Sequence, residues 1–211
     1  MEELIGQVDQ NNAYRGDSIK IGYLCAFGCI PPDRDWESFG SNIGRNTHTS
    51  RITIKGMNQV GLAAFFRGIA SNRSIASMVI TECQIDDQGA TALATGFSEK
   101  NDTLKEISIR SIKDIAGTER ITENGWDSIV TSIAGSRLEK LDASWNRTVT
   151  NAVVVTLSNS LLSNGTLNYL DLGGCNSITH TGLRALFQQL HSPHSVLEML
   201  NLEFVGLNDT A

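Results

Sequence analysis

Nowhere in the 211 residues is there a run of about eighteen apolar residues, the length a bilayer-spanning helix needs, so the sequence offers no membrane span. The amino terminus, Met1-Glu2-Glu3-Leu4-Ile5-Gly6-Gln7, is acidic and has no apolar h-region, so it is not expected to be a secretory signal. Basic charge is short. Seventeen Lys and Arg against 23 Asp and Glu leave a net charge of −6, without the basic stripe that nucleic-acid binding uses to release counterions. Cysteine is sparse too. Cys25 and Cys29 are four apart with no second pair to complete a zinc site, and Cys83 and Cys175 lie far from each other in sequence. Reduced thiols in the cytoplasm or nucleus are the expectation.

Chemistry-bearing motifs are missing as well. The four histidines, His48, His180, His191 and His194, pair with no Cys or carboxylate at ligand spacing. There is no G-x-x-x-x-G-K-[ST] phosphate cradle and no G-x-S-x-G nucleophile elbow. No catalytic residue, no metal and no cofactor is therefore expected.

What the sequence does have is a recurring apolar frame, L-x-x-L-x-L-x-x-C/N. Its clearest copies are Leu167, Leu170, Leu172, Cys175 and Ile75, Met78, Ile80, Cys83. Further copies are Leu104, Ile107, Ile109, Ile112, then Leu138, Leu141, Ala143, Asn146, then Leu197, Leu200, Leu202, Val205. Weaker ones are Thr49, Ile52, Ile54, Met57 and Gly16, Ile19, Ile21, Leu24. The frame starts near 16, 49, 75, 104, 138, 167 and 197, a period of about thirty. Its two middle positions are two apart and share one face of a strand. One such strand cannot bury its apolar face alone, but a parallel stack of them can.

A second signature follows the frame: Ile85-Asp86-Asp87-Gln88-Gly89-Ala90, Ile121-Thr122-Glu123-Asn124-Gly125-Trp126 and Ile178-Thr179-His180-Thr181-Gly182-Leu183. Asp and Thr here are helix N-caps. Apolar residues then recur with helical period: Leu62, Phe65, Phe66, Ile69; Val153, Leu157, Leu161, Leu162; Leu183, Leu186, Phe187, Leu190. Each unit reads strand, turn, helix, turn.

On these two motifs the chain resembles the ribonuclease-inhibitor-like leucine-rich repeats, and Leu167 to Leu183 is similar to the cysteine-containing repeats of F-box substrate receptors. The resemblance covers roughly residues 16 to 211. Together with the period it implies a right-handed α/β solenoid: an arc of about seven parallel strands on the concave side, with helices on the convex side. Residues 1–15 are expected to be a short cap or a disordered lead-in, and 16–211 one repeat domain with an incomplete last repeat. The final repeat stops after Gly206-Leu207-Asn208-Asp209-Thr210-Ala211, so its open end is expected to be continued by more chain or covered by another subunit. Lys113 to Arg120 is an insertion, read either as a contact loop or as tolerated length variation. Five N-x-[ST] sequons occur, at Asn72, Asn101, Asn146, Asn164 and Asn208; three immediately precede a frame and are explained by the repeat without sugars.

Residues between the frame's apolar positions should line the concave face. The central row is Lys20, Thr53, Val79, Ser108, Asp142, Asp171 and Asn201; two residues on come Gly22, Lys55, Thr81, Arg110, Ser144, Gly173 and Glu203. The next row is Tyr23, Gly56, Glu82, Ser111, Trp145, Gly174 and Phe204, and the row two before the central one ends in Lys140, Tyr169 and Met199. Lys20, Arg51, Lys55 and Arg110 make the early half positive, and Asp142, Asp171 and Glu203 make the late half negative among Trp145, Tyr169 and Phe204. Exposed aromatics ringed by charge are typical interface anchors. Trp145, Tyr169, Asp142 and Asp171 are the candidate grip on a basic or apolar protein segment, with Trp145 alternatively folded over Gly174. Asp142 and Asp171, roughly 5 Å apart on adjacent strands, read as a solvated column rather than a catalytic couple. The expected function is an intracellular scaffold that binds a protein partner and catalyses nothing. The resemblance also admits a GTPase-activating or nuclease-inhibitor-like regulator, or the substrate receptor of a ubiquitin ligase.

Overall fold

The alternation within each frame dictates where strands form, and a computed structural model describing residues 18–22, 36–56, 61–96, 101–110, 121–193 and 195–207 shows them there. The strands are β1 (Ser18–Gly22), β2 (Arg51–Lys55), β3 (Ser77–Thr81), β4 (Glu106–Arg110), β5 (Lys140–Asp142), β6 (Tyr169–Asp171) and β7 (Met199–Asn201). The helices between them are α1 (Trp36–Arg45), α2 (Leu62–Ile69), α3 (Asp87–Thr95), α4 (Glu123–Ser132), α5 (Asn151–Ser163) and α6 (His180–Leu190). Residues 1–15, Cys25 and Cys29, Tyr23, Ser111, the 113–120 insertion, His194 and the sequon at Asn208 lie outside the described residues.

One sheet holds the seven strands in chain order, every pair parallel. The frames stack without slippage: Ile19 faces Ile52, Ile52 faces Met78, Met78 faces Ile107, and Leu141 faces Leu170. Neighbouring strands sit about 4.8 Å apart while packed helices need about 8–10 Å. A row of helices beside a row of strands therefore bends the stack, strands inside. This is a leucine-rich-repeat solenoid arc.

The core fills the space between the rows. Ile52, Ile54, Ile80, Ile109 and Leu170 from the sheet are fully buried, as are Phe65, Ile129, Val154 and Leu186 from the helices. In α5 the buried stripe is Val153, Val154 and Leu157, so Val154 takes the place expected for Leu162, which is 57% exposed. Phe187 likewise points outward, and α6 buries Leu183 and Leu186 instead. Helical period alone leaves the edge of a stripe undecided by one residue. In the seventh repeat Leu197, Leu200, Leu202 and Val205 are only partly buried, whereas their counterparts Leu167, Leu170, Leu172 and Cys175 are almost wholly enclosed.

Buried polar groups stitch one coil to the next. Asn146 Nδ2 donates to the carbonyls of Ile109 (2.7 Å), Ala143 (2.9 Å) and Ser144 (3.1 Å). The thiols of Cys175 and Cys83 do the same work at their own level, donating to Ala143 O and Ile54 O. Neither cysteine is in a disulfide, and both are buried. Before the frames that start at Ile75 and Leu167 an asparagine repeats the device. Asn72 Nδ2 reaches the carbonyls of Ile43 and Asn46, while its Oδ1 accepts from the amides of Ser74 and Ile75. Asn164 matches it, reaching Ile133 O and Ser136 O and accepting from Thr166 and Leu167. Asn72, Asn101, Asn146 and Asn164 are all at least nine-tenths buried, so the four described sequons have no exposed amide for a glycan.

The helix starts form a parallel ladder. Asp86 and Thr179 cap their own helices, accepting from Gly89 and Thr181. The first residue of one helix then reaches the cap of the next: Asp87 accepts from Thr122 N and Oγ1, Glu123 from Thr150, and Asn151 from the Thr179 amide. That lateral reach leaves no room for a side chain at Gly125, whose Cβ would lie 2.4 Å from Asp87 Oδ1.

Removing the Asn146 amide strands the Ile109 carbonyl, so Asn146→Ala is expected to lower the unfolding free energy by about 1–3 kcal/mol in urea denaturation. Asn146→Cys, which keeps a donor of the Cys175 kind, should lose less than the alanine variant.

Candidate protein-binding surface

Strand length changes along the arc for a chemical reason. β1 to β4 have five residues each and carry Lys20, Thr53, Val79 and Ser108 at their centres. β5 to β7 have three, and each ends on the central-row Asp142, Asp171 or Asn201. In these the side-chain oxygen accepts the amide two residues on: Asp142 from Ser144 (3.0 Å), Asp171 from Gly173 (2.8 Å) and Asn201 from Glu203 (2.9 Å). This is an Asx turn, a local alternative to the strand ladder. The acidic column expected as a solvated face is in part a set of backbone turns.

Asp142 has the most partners of the three. Besides Ser144 N and Ser144 Oγ on one oxygen, Ser108 Oγ (3.0 Å) and Arg110 Nε (3.4 Å) approach the other. Asp171 is less occupied, its second oxygen accepting the Tyr169 hydroxyl at 3.3 Å. Burial, followed by the Asp171 and Asp142 carboxylates, raises the Tyr169 phenol above its ordinary value. Asp142 and Asp171 are paired across β5 and β6, yet each is held by its own partners.

Cross-strand ion pairs rework the expected charge map. Lys55 pairs with Glu82 (3.3 Å), Arg110 with Asp142 (3.4 Å) and Lys140 with Glu106 (2.7 Å), and this last contact raises the Lys140 pKa. Such exposed pairs contribute about 0–1 kcal/mol each, but they neutralise the middle of the sheet. Lys55 and Arg110 thus stand in pairs, while Asp171 and Glu203 remain as acidic groups over β6 and β7. The Glu106–Lys140 pair was visible in the stacked rows, since the two residues share one register position.

The row containing Trp145 and Phe204 does not lie on the strand face. Gly56, Glu82, Trp145, Gly174 and Phe204 all have left-handed backbone, with φ between 54° and 73°. Consecutive residues of a strand cannot face the same side, and the left-handed residue turns the chain outward at the rim. Of the two readings of Trp145, the structure shows the fold-over in part. Its ring lies over Gly174, where a Cβ would be 2.6 Å from Cδ2, and half of it remains exposed. It meets Phe204, two repeats away, with ring centroids 6.0 Å apart at 32°. Tyr169 and Met199 stand opposite each other on β6 and β7, and Met199 is exposed. Trp145, Phe204, Tyr169, Asp171 and Glu203 therefore gather at the late end, whereas Lys55, Arg110 and Asp142 belong to the paired middle.

Among the described residues no three His, Cys, Asp or Glu side chains come together as a metal site, and no helix is long and apolar enough to cross a membrane.

A family model described as a leucine-rich repeat matches residues 71–94 and 163–187, the third and sixth coils, whose ninth frame positions are Cys83 and Cys175. No curated protein sequence matches the chain. Among solved structures the chain is similar to actin-binding site 2 of leiomodin-1, at 14% identity and TM-score 0.48, over 90% of this chain and 88% of that one. It is similar also to the tropomodulin C-terminal domain of Caenorhabditis elegans, at 8% identity and TM-score 0.46, over 90% of both chains.

Gly174→Ala places a Cβ on left-handed backbone and into the Trp145 ring. It should lower stability by about 1 kcal/mol or more and shift Trp145 emission, read by urea melts and fluorescence. The raised Tyr169 phenol gives a second expectation. Its neutral form is favoured in the folded state, so its contribution is intact below the ordinary phenol pKa and is lost as pH rises through the folded value. One of the three tyrosines should therefore titrate late at 295 nm, and Tyr169→Phe should remove that step.

Proposed function

We propose that this chain is a protein-interaction domain that docks a protein partner on the late half of its concave sheet, without catalysis, in the cytoplasm or nucleus. The observation that carries this reading is the concentration at β5 to β7 of exposed aromatic and apolar side chains beside acidic ones. Trp145, Met199 and Phe204 are each more than half exposed. Large side chains of this kind, set among polar groups on a stiff sheet and its rim, are the usual anchors of an interface. The hydrogen-bonded Tyr169 hydroxyl fixes one such anchor in place. The absence of nucleic acid from the proposal follows from the net charge of −6.

A full helix of eight or more residues in each of six repeats supports the ribonuclease-inhibitor-like subclass. The scaffold reading is the simplest function for that architecture. Roles as a regulator of a GTPase or nuclease, or as a ligase receptor, are distinguished by which enzyme accompanies the chain in affinity purification.

Trp145 and Tyr169 replaced together by Ala should leave the circular dichroism spectrum unchanged and weaken capture of a partner from cell extract by tenfold or more. Truncation of such anchors costs about 2 kcal/mol or more. Unchanged capture by the double variant refutes the site, and turnover in a general hydrolase screen refutes the non-catalytic reading.

A further inference from the structure

Two bulky aromatic residues occupy backbone that glycine would hold at less cost. The eighth frame position is left-handed, and the chain fills it with Gly56, Gly174 and Glu82 (φ 54°) but also with the aromatic Trp145 (φ 62°) and Phe204 (φ 59°). Left-handed backbone is costly for a residue with a Cβ. Trp145 regains that cost through the half of its ring packed on Gly174, but Phe204 is 74% exposed and has little beyond its contact with Trp145. A wide aromatic platform left half or more open to water on such backbone points toward function.

The charge around the platform selects what can sit on it. The outward positions of β6 and β7 and their turns are Tyr169, Asp171, Gly173, Met199, Asn201 and Glu203, which carry two carboxylates and no basic side chain. The basic groups of β4 and β5, Arg110 and Lys140, are committed to Asp142 at 3.4 Å and Glu106 at 2.7 Å. A flat aromatic face beside unneutralised carboxylates matches a guanidinium. Its plane stacks on a ring, and its fork of N–H groups meets a carboxylate. An ammonium has the charge without the plane. Met199, exposed beside Tyr169, adds apolar surface for a neighbouring aliphatic residue.

We infer that Trp145 and Phe204, converging over Gly174 beside Asp171 and Glu203, form a subsite for an arginine flanked by an aliphatic residue in an extended segment of a protein partner. This deepens the concave-face reading and rests on it for the occupant being a protein.

The test pans a displayed library of random 12-residue peptides over the whole 211-residue protein. Enriched sequences should carry arginine beside an aliphatic residue. In synthetic copies of the best of them, Arg→Lys should weaken binding about tenfold and Arg→Glu abolish it. Binding should shift tryptophan emission, a signal assigned to Trp145 because Trp36 and Trp126 are buried. Trp145→Gly with Phe204→Gly should cost tenfold or more in affinity while leaving the circular dichroism spectrum unchanged, since glycine suits the left-handed backbone. Asp171→Asn with Glu203→Gln should weaken binding similarly, and Lys20→Glu with Arg51→Glu should not. Enriched peptides without arginine, no enrichment at all, or full affinity in the double-glycine variant overturn the subsite. If affinity survives in the double-glycine variant but falls in Tyr169→Ala, the subsite fails while the concave-face reading stands. If neither variant nor Lys20→Glu with Arg51→Glu matters, both fail.

Discussion

Every coil of this protein has to close at the same height as the one before it, because no coil can bury its apolar face alone. The in-register parallel ladder meets that requirement, and most other features follow from it. Once Ile52, Met78 and Ile107 sit side by side, the residues four and five further along in each coil must all carry the chain out of the sheet at one level. That is where left-handed residues and buried thiols or amides collect. The hydrogen bonds from Asn72, Asn146 and Asn164 to carbonyls of the preceding coil are the same constraint expressed in polar groups. A turn buried between coils must satisfy its backbone from a neighbour.

The ladder also explains why the concave face is not uniform. Strands whose central residue is Lys, Thr, Val or Ser continue for five residues, while Asp and Asn divert the chain into an Asx turn after three. The early sheet is thus longer, its charges drawn into cross-strand pairs such as Lys55–Glu82 and Glu106–Lys140. The late sheet is shorter and brings its rim closer to its strands. Aromatic and acidic side chains gather there because the turn residues and the strand residues converge at that end.

Much of this was legible in the primary structure. Strand positions, their parallel order and the cap residues Asp86, Thr122 and Thr179 all follow from period and residue type. The row assignments on the strands hold in the observed register. Less legible was which polar residues are spent on each other. Arg110 and Asp142 lie in separate repeats and pair diagonally, so counting charges by row overstates the positive half. Val154 and Leu162 exchange expected places because a helical stripe has soft edges until a neighbouring helix defines them.

Sequence alone determined the coil. A repeated frame states how many strands there are, which faces are apolar and which residues recur at each level, since those depend on spacing within about thirty residues. Only the tertiary structure decided what those levels do to one another. Trp145 leans across Gly174 to Phe204 over two repeats, and the Tyr169 hydroxyl settles on Asp171 rather than on a neighbouring coil. These contacts depend on the height and turn of stacked backbones. Stacking is a property of the assembled arc, and no single repeat contains it.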